Sequence, residues 1–196
     1  LAEAPPGPSA PADRLVVQVR GDTPVAAVLV EELTSRGVDA GAEGAGVAVS
    51  PSLVVVTDLL GRDPVDAPEL YRRLRPLLLD TAADVVVVPP FGGGLGIDPP
   101  APRPDGDALP AGAGARGLVK TAALEFPERR IRIVDVDASA SAADLAAALA
   151  EEVTQADAPV EVAWRDGVRR TPRAEGRESP GSVPASPLTA ESVVLL

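Results

Sequence analysis

The chain has 196 residues and a net charge of −11, from 18 basic against 29 acidic residues. That length allows one domain with a real core, and the charge has the wrong sign for a duplex-binding module. It contains no cysteine and no histidine, which excludes disulfides, thiolate nucleophiles, zinc–thiolate sites, imidazole ligands and a Ser-His-Asp arrangement. Hydrophobic residues make up 45 % but aromatics only 2 %, so Ala, Val and Leu have to fill the core. No run approaches the ~18 apolar residues of a membrane span, and no basic-then-apolar leader opens the chain. The expectation is a soluble, cytoplasmic protein with neither nucleic acid nor membrane as partner. The lack of any Met implies a piece of a longer polypeptide, and the 17 arginines against one lysine fit a GC-rich bacterial genome.

Residues 1–13 are Pro/Ala-rich and read as a linker. RLVVQVR (14–20) reads as a buried strand. Thr23 is a candidate N-cap, Pro24 suits the first helical position, and Val25, Val28, Leu29 and Leu33 follow at helical spacing until Gly37. Residues 38–51 are Gly-rich, with a candidate short strand at Val47–Val49. LVVVTDL (53–59) is a second continuous apolar strand. Asp66-Ala67-Pro68-Glu69 opens a helix with a Leu70, Leu74, Leu77, Leu78 stripe. DVVVVPP (84–90) is a third strand, and a Gly/Pro-rich loop runs to about residue 114. A helix burying Leu118, Val119, Ala122, Ala123 and Phe126 leads to IRIVDVD (131–137). Ser141 caps a further helix with Leu145, Leu149 and Val153 in line. Val160, Val162 and Trp164 then alternate with Glu161, Ala163 and Arg165 before the hairpin turn Asp166-Gly167. Residues 174–191 read as a Pro/Ser/Gly linker, and 192–196 as the start of a strand belonging to the next subdomain. Strands alternating with helices predict an α/β fold. It is a truncated Rossmann-like, mostly parallel sheet with helices on both faces, right-handed crossovers and a C-terminal hairpin. Little room remains after the first helix for the usual second strand and second helix.

No residue set meets the demands of a catalytic, cofactor or metal site. The turn after the first strand holds one glycine, Gly21, and Asp22 puts a negative charge where a pyrophosphate would sit, while Pro24 removes an amide. It reads as a capped turn. Phe91-Gly92-Gly93-Gly94-Leu95-Gly96 follows a strand but lacks GxGxxG spacing and a following helix. It reads as a flexible loop, placed where such sheets bind ligands, so that a residual pocket at 91–97 stays open. Asp135 and Asp137 share a strand face and have no third ligand in sight, which predicts a solvated strand end. Arg72-Arg73-Arg75, Arg129-Arg130-Arg132 and Arg169-Arg170-Arg173 read as solvated faces with local ion pairs. Trp164 reads as core.

GLVKTAALEFPERRIRIVDVD (117–137), followed by PVEVAWRDGVRRTP (159–172), resembles the ketoreductase region of type I polyketide synthases, in its iterative and polyunsaturated-fatty-acid-synthase branch. The resemblance covers most of residues 14–173 and the exit at 188–196, and it is to the truncated N-terminal half. It implies a non-catalytic structural subdomain bracing an adjoining half that binds NADPH and carries Ser-Tyr-Lys chemistry. This chain would then hold no cofactor, and acyl carrier protein and other synthase domains would be its neighbours. The departures agree. Arg116 stands four residues before Lys120, where a tyrosine would protonate a carbonyl, and Pro89-Pro90 replace the serine. Lys120 is left for an ion pair or a helix-start contact. The competing readings are a self-sufficient reductase with an atypical site and a pseudo-dehydrogenase binding a nucleotide or acyl ligand.

Overall fold

The computed structural model describes residues 2–3, 15–44, 50–57, 67–89, 91–96, 113–137, 139–174 and 176. Its elements run in the order β1 (Ala2–Glu3), β2 (Val16–Arg20), α1 (Pro24–Ser35), β3 (Asp39–Ala42), β4 (Leu53–Val56), α2 (Ala67–Leu79), β5 (Asp84–Val87), α3 (Ala113–Glu125), β6 (Ile131–Val136), α4 (Ala142–Thr154), β7 (Glu161–Arg165) and β8 (Val168–Thr171). The strands form one sheet in the order β1-β8-β7-β6-β5-β4-β2-β3. β3 through β7 pair in parallel, and the β7–β8 hairpin and β1 add antiparallel neighbours. The α/β fold with a mostly parallel sheet, helices on both faces and a C-terminal hairpin is thus present.

Local chemistry sets the helix ends where the sequence marks them. The Thr23 hydroxyl accepts from the Ala26 amide at 3.2 Å with Pro24 at the first helical position. At the other end Gly37 adopts φ +81°. Its amide donates to the Thr34 carbonyl and that of Val38 to Leu33, both at 3.0 Å. This double closure needs a residue tolerant of positive φ, and it brings Val38 back onto Leu33 in the core. Ser141 caps α4 in the same way, accepting from the Asp144 amide at 3.1 Å.

Because the chain turns back at Gly37, a second strand does fit. β3 pairs with β2 from Val16↔Asp39 to Val19↔Ala42. Its sequence, DAGA, carries neither apolar alternation nor β-branching, so only the pairing reveals it. Val47–Val49, Asp66 and residues 174–196, apart from 174 and 176, lie outside the described residues. Within the stretch read as linker, Ala2 and Glu3 pair with Thr171 and Arg170 along the outer edge of β8.

Alternation along the strands divides the core in two. Val17, Val19, Leu53, Val55, Val86, Val88, Val134 and Val136 face α1 and α4. Val54, Val56, Val85, Val87, Ile131, Ile133 and Ala163 face α2 and α3. One consequence departs from uniformly right-handed crossovers. α1 leads outward to β3 on one face, whereas α2 and α3 lead in the opposite direction across the sheet on the other face, which gives all three the same hand. α4 also leads in that opposite direction, from β6 to β7, but lies on the face of α1, so its crossover has the opposite hand. The reason is coverage. Without α4 on that side, Val86, Val88, Val134, Val136 and Val162 would face water.

Candidate functional site

In sheets of this kind ligands bind beyond the C-terminal strand ends, where the chain reverses direction across the sheet, here between β2 and β4. There two threonine hydroxyls bridge the strand ends. Thr57 is fully buried, donates to the Arg20 carbonyl at 2.8 Å and lies 3.3 Å from the Thr23 hydroxyl. Asp22 stands exposed at the turn. The capped-turn reading holds, and these residues do not fit a dinucleotide pyrophosphate.

The glycine loop beyond β5 is different from its sequence reading. Gly92, Gly93, Leu95 and Gly96 all take positive φ, between 54° and 75°, and the turn they form aims its amides inward. Phe91 donates to one Asp135 oxygen at 3.1 Å and Leu95 to the other at 2.7 Å. Such a nest of amides binds anions, and this one is filled by the chain's own carboxylate. Asp135 is therefore fully buried rather than solvated. Burial pushes its carboxyl up to about 6, against the opposing pull of the Leu95, Gly93, Phe91 and Gly94 amides. Asp137 makes a separate arrangement, accepting from the Ser139 amide at 3.0 Å and its hydroxyl at 2.7 Å, bonds that lower its pKa. The two carboxylates do not act as a pair. Among the described residues no group of three or more acidic side chains is placed to hold a metal.

Gly93 also lies against the Trp164 carbonyl, which accepts from the Asp137 amide at 3.1 Å. A Cβ there would run into that oxygen, and φ of +73° adds strain. Gly93→Ala is expected to destabilise by about 2 kcal/mol or more, read as a lower urea midpoint. Gly92→Ala, with the same positive φ but open space around it, separates the clash from the strain.

On the α3 face, Arg116 and Lys120 converge on Glu161 of β7. The Arg116 guanidinium donates to it through Nε and Nη2, and Lys120 Nζ lies at 3.3 Å. Burial works to raise the Glu161 carboxyl, but the hydrogen bond and charge of Arg116, with Lys120 behind it, outweigh burial and hold it below the usual carboxylate range. The ion pair expected for Lys120 is present. Glu161 itself, read as an outward polar position, is buried, with the Arg116 and Lys120 side chains of α3 laid on its carboxylate.

The largest correction concerns the arginine clusters. Arg129 donates to the carbonyls of Leu77, Leu78 and Ala83 and stacks on Phe126 at 5.6 Å, tying the end of α2 to the chain after α3. Arg130 binds Asp84 at 2.5 Å and the Gln155 carbonyl at 3.1 Å. Arg132 and Arg169 are buried around Glu152, which has no exposure. Glu152 accepts from Arg169 Nε at 2.5 Å and from Trp164 Nε1 at 2.8 Å, and lies 3.8 Å from Arg132. Burial lowers the Arg132 pKa to about 10, with Glu152 opposing. Trp164 is half-buried, capping this network. The signal for Glu152 was available: it lies three residues after Leu149 and seven after Leu145, on the buried stripe. Arg72, Arg75 and Arg173 are exposed and Arg73 makes a local ion pair with Glu69, as a solvated face would.

An open groove of about 500 Å³ lies beside α4 and the hairpin tip, lined in part by Asp137, Asp144, Leu145, Ala148, Trp164 and Asp166. Its lining does not include the glycine loop, where the sequence left a residual pocket open.

No protein-family model matches the sequence, and no curated protein does. Among solved structures the chain is similar to a small-chain dehydrogenase, with a TM-score of 0.51 and 17 % identity over 79 % of this chain and 98 % of that one. It is also similar to a C2-type ketoreductase from a modular polyketide synthase, with a TM-score of 0.49 and 19 % identity over 83 % of this chain and 40 % of that one. At these identities the likeness is one of fold, and the chain has the α/β fold of a small-chain dehydrogenase.

Proposed function

We propose that this chain is a non-catalytic structural subdomain that stabilises and positions the NADPH-dependent catalytic half of a polyketide synthase ketoreductase, which reduces a carrier-bound β-ketoacyl intermediate. The observation that carries this reading is the engagement of Arg116 and Lys120 by Glu161. The helix positions that would supply a proton donor and its lysine are instead a permanent cation and a lysine, both turned onto an internal carboxylate. Three further features support it: the hydroxyl-stitched crevice, the self-filled amide nest, and the resemblance of residues 117–137 and 159–172 to the structural half. Its partner would be the catalytic half in the same polypeptide, with acyl carrier protein and further synthase domains nearby.

Titration of NADPH into this chain, followed by calorimetry, is expected to show no saturable binding. Micromolar binding would favour the pseudo-dehydrogenase reading. In the intact synthase, Lys120→Ala is expected to leave ketoreduction in place and to cost under about 1 kcal/mol of stability, since Lys120 is half-exposed. Loss of reduction with an unchanged melting temperature would show that Lys120 touches the reaction.

A further inference from the structure

The groove beside α4 combines apolar lining with carboxylates set apart from one another. Along α4, Asp144, Ala147, Ala148 and Glu151 recur at intervals of three and four residues and so share one face of the helix. The two carboxylates stand two turns apart, ~10 Å along the axis, with alanine between them on that face. Trp164 and Asp166 of the β7–β8 hairpin complete the lining. The indole N–H of Trp164 donates to Glu152 at 2.8 Å, which fixes the ring, and the half-buried side chain borders the groove.

The negative charge of the groove is not neutralised from within. Two arginines line it, but Arg36 binds Glu32 at 2.7 Å and the charge of Arg165 acts on Asp137. Asp144 accepts from the Ser141 hydroxyl at 2.6 Å. Among the described residues, Asp144, Glu151 and Asp166 have no cationic partner. Three carboxylates around alanine and tryptophan match a ligand that is cationic at several points and apolar between them.

We propose that this groove binds an aliphatic polyamine, with ammonium groups on Asp144, Glu151 and Asp166 and methylenes along Ala147, Ala148 and Trp164. The indole adds a cation–π surface for an ammonium beside it. A single divalent ion does not fit, because carboxylates ~10 Å apart cannot reach one metal at ligand distance, and among the described residues no group of three or more acidic side chains is placed to hold one. A volume of about 500 Å³ is that of a small-molecule site, well below the contact area of a folded protein partner. The chain's net charge of −11 draws a polycation in from a distance. The inference is independent of the structural-subdomain reading above.

Trp164 is the only tryptophan of the chain, so its fluorescence reports the groove directly. Spermidine titrated into the full chain at low salt is expected to change that fluorescence saturably, with matching heat by calorimetry, and to bind more weakly as salt is raised. Butylamine, with a single charge, should bind about tenfold more weakly or worse, and Asp144→Asn with Glu151→Gln should weaken spermidine by about as much. Glu125→Gln, at an exposed position on α3, should leave binding unchanged. If the α4 double variant melts lower than wild type, Asp166→Asn gives the same test from the hairpin turn, with spermidine again weakened. Absence of saturable binding would overturn the proposal. So would a response that Mg²⁺ or a tetralysine peptide matches at equal concentration, or one that Glu125→Gln weakens as much as the groove variants do.

Discussion

Glu152→Ala is expected to destabilise the protein by about 3–5 kcal/mol, the cost of leaving buried charges without their partner. Removing this carboxylate takes away the counter-charge that Arg132, which is 2 % exposed, and Arg169, which is 6 % exposed, share in the core, and it orphans the Trp164 indole N–H. Against a total stability of about 5–15 kcal/mol, that loss brings the fold close to its limit. Glu152→Gln keeps the shape but not the charge, and is expected to fall between wild type and the alanine variant. Replacing all three charged residues together, as Arg132→Met, Glu152→Leu and Arg169→Met, should recover much of the loss, because the burden is unpaired charge and not missing contacts. Urea unfolding at neutral pH measures each. A Glu152→Ala unfolding free energy within about 1 kcal/mol of wild type would mean that water reaches these arginines. Since Glu152, Arg132 and Arg169 come from α4, β6 and β8, the same cluster ties α4 to the face that it covers with opposite hand.

The second large effect is a pH dependence opposite in sign to ordinary acid denaturation. The Asp135 carboxyl is raised to about 6 from 3.8, with burial as the main cause, so the folded protein binds its proton more tightly than the unfolded chain does. Its contribution favours folding most below pH ~4 and is lost as pH rises through about 6. Between these limits the slope approaches ~1.4 kcal/mol per pH unit, up to about 3 kcal/mol in all. Asp135→Asn should abolish that slope, and it should cost about 1–3 kcal/mol at pH 7 because its amide group opposes one of the two N–H donors of Phe91 and Leu95. The readout is the difference between wild type and variant in unfolding free energy from pH 4 to pH 7. Hydrogen exchange at Phe91 and Leu95 reports the loop directly. Parallel pH profiles for the two proteins would show that Asp135 titrates as an ordinary exposed carboxyl.

Much of the fold was legible in residue order, because apolar periodicity and cap chemistry are local. The runs at 53–56, 84–87 and 131–136 became buried parallel strands. The stripe Leu70, Leu74, Leu77, Leu78 became the buried face of α2. Thr23, Gly37 and Ser141 ended their helices because a hydroxyl that accepts an amide, or a glycine that takes positive φ, acts on its nearest neighbours. That Arg116 carries a permanent cation was equally plain, since guanidinium chemistry needs no tertiary context.

What residue order could not supply were pairings across the sheet. β3 exists because β2 offers an open edge, not because DAGA prefers to be extended. Asp135, Glu152, Glu161, Arg132 and Arg169 look like solvated charges in a list. Each is buried because another segment, forty or so residues away in the case of the Asp135 partners, provides its counterpart. A charge enters a core only when its partner arrives with it. That partner comes from the crossover that puts α4 beside α1, from the glycine turn folding over β6, and from the hairpin that brings Trp164 and Arg169 together. Composition and local pattern therefore determined the elements and their caps, whereas tertiary packing alone decided which charges are internal.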